Sequence, residues 1–124
     1  MFEIAVREHF DAAHFLRDYK GRCENLHGHR FLVVAHLGAQ ALNEIGLAYD
    51  FVELKGHLRE LLARYDHTCL NDIAPFDRVN PSSENIARTL YDDLAARVGA
   101  GPVRITALEV AESPDTWVVY NPDT

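Results

Sequence analysis

Apolar and polar residues alternate over residues 2–9, where Phe2, Ile4 and Val6 share one parity, and this predicts a strand with one buried face. Residues 30–37 carry the β-rich run Phe31-Leu-Val-Val-Ala, apolar at both parities, which predicts a second strand buried on both faces. The period then changes. Asp50 stands as an N-cap with Glu53 three residues on, and Phe51, Leu54, Leu58, Leu61, Leu62 and Tyr65 recur at helical spacing. After Pro81, Ser82 or Ser83 opens a second helix with Ile86, Ala87, Leu90, Leu94 and Val98 on one stripe and Gly99 as its stop. Strand patterning returns at 103–111 and 116–120, a hairpin joined through Ser113-Pro114-Asp115. Its alternation falters between Leu108 and Val110, where a bulge or a two-sided strand is expected.

Two helices lying consecutively between two pairs of strands predict an α+β domain, a four-stranded antiparallel sheet with both helices packed on one face. The other face keeps alternate apolar positions of Phe31-Leu-Val-Val-Ala and Trp117-Val-Val-Tyr120 together with open edges, so several copies are expected to associate into a larger sheet or barrel. No linker, repeat or low-complexity tract divides residues 1–124, and one domain is expected. With 12 Lys plus Arg against 19 Asp plus Glu the formal charge is −7, which disfavours nonspecific binding to nucleic acid or an anionic membrane and points to a small molecule or a protein partner. No apolar run approaches the ~20 residues that cross a bilayer, and no basic-then-apolar leader is seen, so a cytoplasmic location with reduced thiols is expected. Cys69 reads as a small buried residue.

The candidate chemistry is concentrated in Cys23-Glu-Asn-Leu-His27-Gly-His29, preceded by Phe10-Asp-Ala-Ala-His14 and followed by Asp66-His67. If residues 27 to 33 form a strand, His27 and His29 project to one face, and His14 on a neighbouring strand completes a three-histidine set. Neutral imidazoles suit zinc, and three protein ligands leave one position open, as in catalytic rather than structural sites. Gly28 is expected to remove side-chain bulk where the backbone passes the metal. Cys23 could be a fourth ligand, a nucleophile or a general base. At 124 residues with 48% apolar content the chain can bury a core without a metal staple, which disfavours the closed structural site. Asp66-His67 reads equally as a proton relay to an activated thiol or as a pair at a helix C-terminus. The long connection 15–26 carries Arg17, Lys20, Arg22 and Cys23 and reads as a functional loop.

From Phe2 to Tyr120 these segments resemble the 6-pyruvoyl-tetrahydropterin synthase and 6-carboxy-tetrahydropterin synthase family, members of the tunnelling fold. The matching motifs are Phe-Asp-Ala-Ala-His14, Lys20-Gly-Arg-Cys23, His27-Gly-His29, Asp50-Phe51, Asp66-His67, Asn80-Pro-Ser-Ser-Glu-Asn85 and Glu112-Ser-Pro-Asp-Thr-Trp117, in the family's order. The resemblance implies zinc on His14, His27 and His29, Cys23 as proton acceptor, and His67 with Asp66 as a relay contributed across a subunit interface. It also implies Glu112 as pterin anchor with a share in the relay. Ser83 and Glu84 fall where the family has a polar segment near the pterin, although an N-cap and first-turn acid account for them equally well. Arg17, Lys20 and Arg22 are candidates for a triphosphate. Arg30 departs from the small polar residue common in the family at that position, and could alter the site mouth or add a phosphate contact.

Three residues separate Cys23 from His27, the interval of the 6-carboxy branch of queuosine biosynthesis. The resemblance therefore implies a zinc-dependent lyase that converts 7,8-dihydroneopterin triphosphate to 6-carboxy-5,6,7,8-tetrahydropterin, releasing acetaldehyde and triphosphate. It implies a homo-oligomer, hexamer or tetramer, with active sites at subunit interfaces. The alternatives are the pyruvoyl activity on the same scaffold, aldolase-like cleavage to a 6-hydroxymethyl pterin, against which Cys23 counts, and a non-enzymatic zinc-stapled binding module.

Overall fold

A computed structural model of the chain describes residues 1–21 and 24–122. Strands β1 (Phe2–His14) and β2 (His27–Ala39) are followed by helix α1 (Phe51–Ala63), the two-residue strand β3 (Thr68–Cys69) and a single helical turn, Leu70–Asp72. Helix α2 (Ser83–Val98) and the hairpin of β4 (Val103–Ser113) and β5 (Thr116–Tyr120) complete the chain.

The sheet order is β3-β1-β2-β4-β5. All pairings are antiparallel except β1 with β3, which is parallel through Ala12↔Thr68 and Ala13↔Cys69. The sheet is thus five-stranded and mixed rather than four-stranded and antiparallel. A two-residue strand is too short to show any periodicity, and it forms because the chain leaving α1 runs alongside β1. Cys69, on that strand, is half-buried rather than buried.

Both helices pack on one face. Leu54, Leu58 and Leu62 of α1 and Ile86, Ala87, Leu90 and Leu94 of α2 close over Val6, Phe10, Phe31, Val33, Ala35, Leu37, Leu108 and Val110 of the sheet. Phe10 and Phe31, paired across β1 and β2, stack at 4.9 Å. Asp50 caps α1 by accepting the Val52 N–H at 2.8 Å, and Ser82 caps α2 by accepting the Asn85 N–H at 3.1 Å.

The irregularity in β4 lies on either side of the expected place. The β2 register passes from His36↔Ala107 to Leu37↔Ile105, so Thr106 is an extra residue, and β5 passes from Ala111↔Trp117 to Ser113↔Thr116, so Glu112 is another. The first bulge changes the parity of the strand. Ile105 faces the helices before it, and Leu108, Val110 and Glu112 share that face after it.

The opposite sheet face carries Ala5, Arg7, His9, Leu32, Val34, His36, Glu109, Ala111, Trp117 and Val119. Trp117 and Val119 are exposed, while Leu32 and Val34 are half-buried. A cleft of about 260 Å³ lies on this face between Arg7, Leu32, Val34 and Trp117.

Candidate metal centre and its neighbours

The β1–β2 register decides where the histidines meet. His14 is directly opposite His27, and His29 is opposite Ala12, so all three rings project on the helix side at one end of the sheet. Ring centroids lie 4.5 Å apart for His14 and His27, 5.4 Å for His14 and His29, and 4.8 Å for His27 and His29. Phe31 presents its ring edge-on to His14 and His29 and forms the apolar floor. From β4, the bulged Glu112 brings a carboxylate to 3.6 Å from His14 Nε2 and 3.4 Å from His29 Nε2. One ligand atom from each of His14, His27, His29 and Glu112 lies within 4.8 Å of the others.

His14 is 1% exposed, and burial first of all holds its pKa below the usual imidazole value, so the ring is neutral. Its Nδ1 is 2.7 Å from the Pro81 carbonyl, which can only accept, so Nδ1 carries the hydrogen and Nε2 keeps the lone pair. That Nε2 is buried without a hydrogen-bond partner among the described residues. His27 repeats the arrangement, with Nδ1 2.6 Å from the Asn25 carbonyl. A buried acceptor nitrogen with no donor is costly in a protein interior but is what a divalent cation requires, and imidazole rings oriented by backbone carbonyls are the usual surroundings of metal ligands. The residues present therefore fit a metal ion.

Gly28 does not play the expected part. It lies on the exposed side of β2, and a Cβ there would meet nothing nearer than the Ala12 carbonyl at 3.9 Å, an ordinary contact.

Ser83 donates its hydroxyl to Glu112 Oε1 at 3.1 Å, which Ser82, as the cap of α2, leaves it free to do. The carboxylate is thereby tied to the first residue of the helix, where the positive end of the macrodipole favours an anion. Beside it Ser82, Ser83, Glu84, Glu112, Trp117 and Val118 line a cleft of about 200 Å³.

Asp66 and His67 gather elsewhere. They follow the end of α1 and meet Asp11, on the face of β1 opposite His14. Asp66 Oδ1 accepts the Asp11 N–H at 2.9 Å, and Oδ2 lies 2.9 Å from His67 Nδ1. The Asp11 N–H, and to a lesser degree His67, hold the Asp66 carboxyl below its ordinary pKa. His67 caps no carbonyl of α1: its N–H donates to the Asp11 carbonyl at 2.6 Å, and its backbone is left-handed at φ 60. The side chains form a hydrogen-bonded dyad, while the Asp66 N–H also closes the end of α1 by donating to the Leu62 carbonyl at 3.0 Å, and the His67 imidazole is 78% exposed.

Of the cations considered for a triphosphate, Arg17 is the one among the described residues whose contacts the structure gives, and Arg30 on β2 is placed as well. The Arg17 guanidinium is committed to backbone carbonyls, that of Phe76 at 2.9 Å foremost, and braces the loop instead of facing the site. Arg30 is paired with Asp11 on the open sheet face. Arg22 and Cys23 lie outside the described residues. Pattern reading missed the amide clamps that hold the chain beyond His14: Asn71 brackets the Phe15 N–H and carbonyl, and Asn80 brackets those of Arg17. Two isolated asparagines, nine positions apart between the helices, are their only signal in the sequence.

Residues 3–123 match the family described as 6-pyruvoyl tetrahydropterin synthase. The chain belongs to that family. Among its relatives, a 6-carboxy-5,6,7,8-tetrahydropterin synthase of Bacillus subtilis (strain 168) is 34% identical over 98% of this chain and 86% of its own length. One from Synechocystis sp. is 35% identical over 84% and 81%. Among solved structures, 6-pyruvoyl tetrahydropterin synthase of Caenorhabditis elegans superposes with a TM-score of 0.86 at 25% identity, covering 97% of this chain and 94% of that one. Family members are thus enzymes of tetrahydropterin synthesis by name. No helix among the described residues is long and apolar enough to cross a membrane.

Proposed function

We propose that the protein is a zinc-dependent carbon-carbon/carbon-oxygen lyase that converts 7,8-dihydroneopterin triphosphate to 6-carboxy-5,6,7,8-tetrahydropterin, with release of acetaldehyde and triphosphate, in queuosine biosynthesis. The observation that carries this reading is the convergence of three imidazoles and one carboxylate from three strands, with a buried imidazole nitrogen left bare among them, beside a cleft that can take a planar ring. The 6-carboxy branch is supported by the three-residue interval between Cys23 and His27 and by the names of the relatives above 30% identity.

His14, His27 and His29 hold the metal in this reading. Bound zinc supplies a Lewis acid that polarises the hydroxyls of the substrate side chain and eases loss of the neighbouring protons. Glu112 accepts hydrogen bonds from the 2-amino group and ring N–H of the pterin, a planar donor pair matched to one carboxylate, and the Ser83 hydroxyl fixes its orientation. Glu84 borders the same cleft. Cys23 takes the proton from the side chain, and His67 passes it on, oriented through Nδ1 by Asp66. Since the dyad and the histidine cluster occupy opposite faces of β1, the dyad that serves a given cluster comes from a second copy of the chain. A homo-oligomer, hexamer or tetramer, built through the open sheet face and its edges supplies that copy.

The decisive test is product analysis by mass spectrometry after incubating zinc-loaded protein with 7,8-dihydroneopterin triphosphate. Carboxytetrahydropterin with acetaldehyde is the expected outcome. A 6-pyruvoyl product, the activity named for the Caenorhabditis relative, would move the enzyme to the other branch, and no turnover would sink the proposal.

A further inference from the structure

Asp11, Asp66 and His67 each contribute a ligand-type atom within 4.8 Å of the others, yet the oxygens of both carboxylates are already engaged. Asp66 is held by the Asp11 N–H and by His67. Asp11 Oδ1 and Oδ2 accept from Arg30 Nε and Nη2 at 3.0 and 3.3 Å. The group is therefore a hydrogen-bonded chain, Arg30 to Asp11 to Asp66 to His67, and not a cation cage. Asp11 grips the dyad with its main chain as well, its N–H donating to Asp66 and its carbonyl accepting from His67.

We propose that Arg30 is a positioning residue for the Asp66–His67 dyad: by occupying the Asp11 carboxylate, it leaves Asp66 as the sole carboxylate partner of the His67 imidazole. This rests on the assignment of the dyad as a proton relay. Arg30 is directly opposite Asp11 in the β1–β2 register and follows His29, so one strand presents the candidate metal ligand on one face and the guanidinium on the other. The two side chains are 61% and 37% exposed, and an ion pair so placed adds little to stability. Its effect is local. Without the guanidinium, a second unpaired carboxylate stands within reach of the imidazole, competes with Asp66 for Nδ1–H and favours the charged ring. The Arg30 hydrogen bond is also the main reason the Asp11 carboxyl titrates below its ordinary value.

The other charged groups around the dyad are His9 on β1 and, bordering the same cleft as Asp66, Glu8 and Arg59. Glu8 is paired with Arg59 and Lys55. The Arg30–Asp11 pair is thus the one whose loss uncovers a charge beside His67.

The test compares wild type, Arg30→Ala, Arg30→Lys and the double variant Arg30→Ala/Asp11→Asn as zinc-loaded, folded proteins. Histidine-ring nitrogen NMR near neutral pH reads the ratio of charged to neutral His67, and the pH profile of kcat/KM reads the relay. A unit charge uncovered within 4.8 Å in a water-like medium changes a proton equilibrium by about fourfold or more. Arg30→Ala is expected to raise the charged fraction by about that factor and to lower kcat/KM by a similar factor on the acid side of the profile. Arg30→Lys restores part of both, and the double variant, which removes the uncovered charge, restores the ring populations. An Arg30→Ala protein whose His67 spectrum or rate profile superimposes on wild type overturns the proposal. If wild type turns over no pterin, the relay assignment fails separately, and the ring populations alone then decide whether Arg30 shields the dyad.

Discussion

Metal removal separates a catalytic centre from a staple, and the expected size of the effect follows from the core. The cluster of buried residues under α1 and α2 includes none of the three histidines, and the strands that carry them are already held by the β1–β2 ladder. Chelated wild-type protein is therefore expected to remain folded, with a cooperative thermal transition. Zinc at about a hundredfold excess over its Kd adds about 2.7 kcal/mol by mass action. With an unfolding entropy of about 2.1 cal/mol/K per residue over 124 residues, that corresponds to a rise in Tm of about 10 °C. His29→Ala discriminates further. His29 is half-buried and donates to no carbonyl among the described residues, so the variant should unfold near the Tm of chelated wild type and show little response to zinc. His14→Ala should lose the zinc response and, in addition, about 1–3 kcal/mol of chelated stability, because the buried Pro81 carbonyl loses its donor. Scanning calorimetry with and without chelator reads all three proteins. A chelated wild type without a cooperative transition would make the ion structural, and a full zinc response in His29→Ala would remove that residue from the ligand set.

Other substitutions probe the neighbouring groups. Tyr65 is 2% exposed and its hydroxyl has no partner, so Tyr65→Phe should stabilise by about 1 kcal/mol, or roughly 4 °C in Tm, and a lower Tm would show that the hydroxyl is satisfied in solution. Burial pushes the Tyr65 pKa up from 10.0 by disfavouring the phenolate, so stability is undiminished below pH 10 and falls as pH rises through the elevated folded value; Tyr65→Phe should flatten this alkaline decline in denaturant titrations. Glu112→Gln should raise KM for the pterin at least tenfold, and Ser83→Ala several-fold through the loosened carboxylate, with unchanged KM in both removing the anchor role. Cys23→Ala should keep zinc and fold, read by metal analysis and circular dichroism, and lose turnover; full activity would take the thiol out of the mechanism.

The elements with a clean period were legible in the sequence, and those that break it were not. Phe31 to Ala35, the Asp50 cap with its leucine stripe, and Ser82 before Ile86 declare strand and helix by spacing alone. Strand β1 continues to His14, well beyond its apolar alternation, because His9, Asp11 and Ala13 face the open side, where polarity carries no penalty. Histidine spacing anticipated the cluster, since two residues apart on a strand means one face. What spacing does not encode is tautomer and tether: that Pro81 orients His14 and that Asp11 grips both members of the dyad are contacts between segments distant in the chain. The left-handed backbone of His67 is equally hidden, because histidine, although enriched at positive φ, adopts it at only a small share of its positions.

Thr106 makes no contact with the candidate site, yet its place outside the ladder decides which side of the sheet Glu112 occupies. Its contribution is arithmetical: one residue more than its partner strand needs, placed between Ile105 and Ala107, exchanges inside for outside along the rest of β4. Substitution scanning would judge this position tolerant. Removing Thr106 would erase the bulge yet leave Leu37↔Ile105, His36↔Ala107 and Ala35↔Leu108 in place, so Glu112 would keep its side; drawing Thr106 into the ladder opposite His36 would instead carry the Glu112 carboxylate to the open face and turn Ala111 inward in place of Val110. The register of this strand, rather than its length, is thus under a constraint that its composition does not reveal.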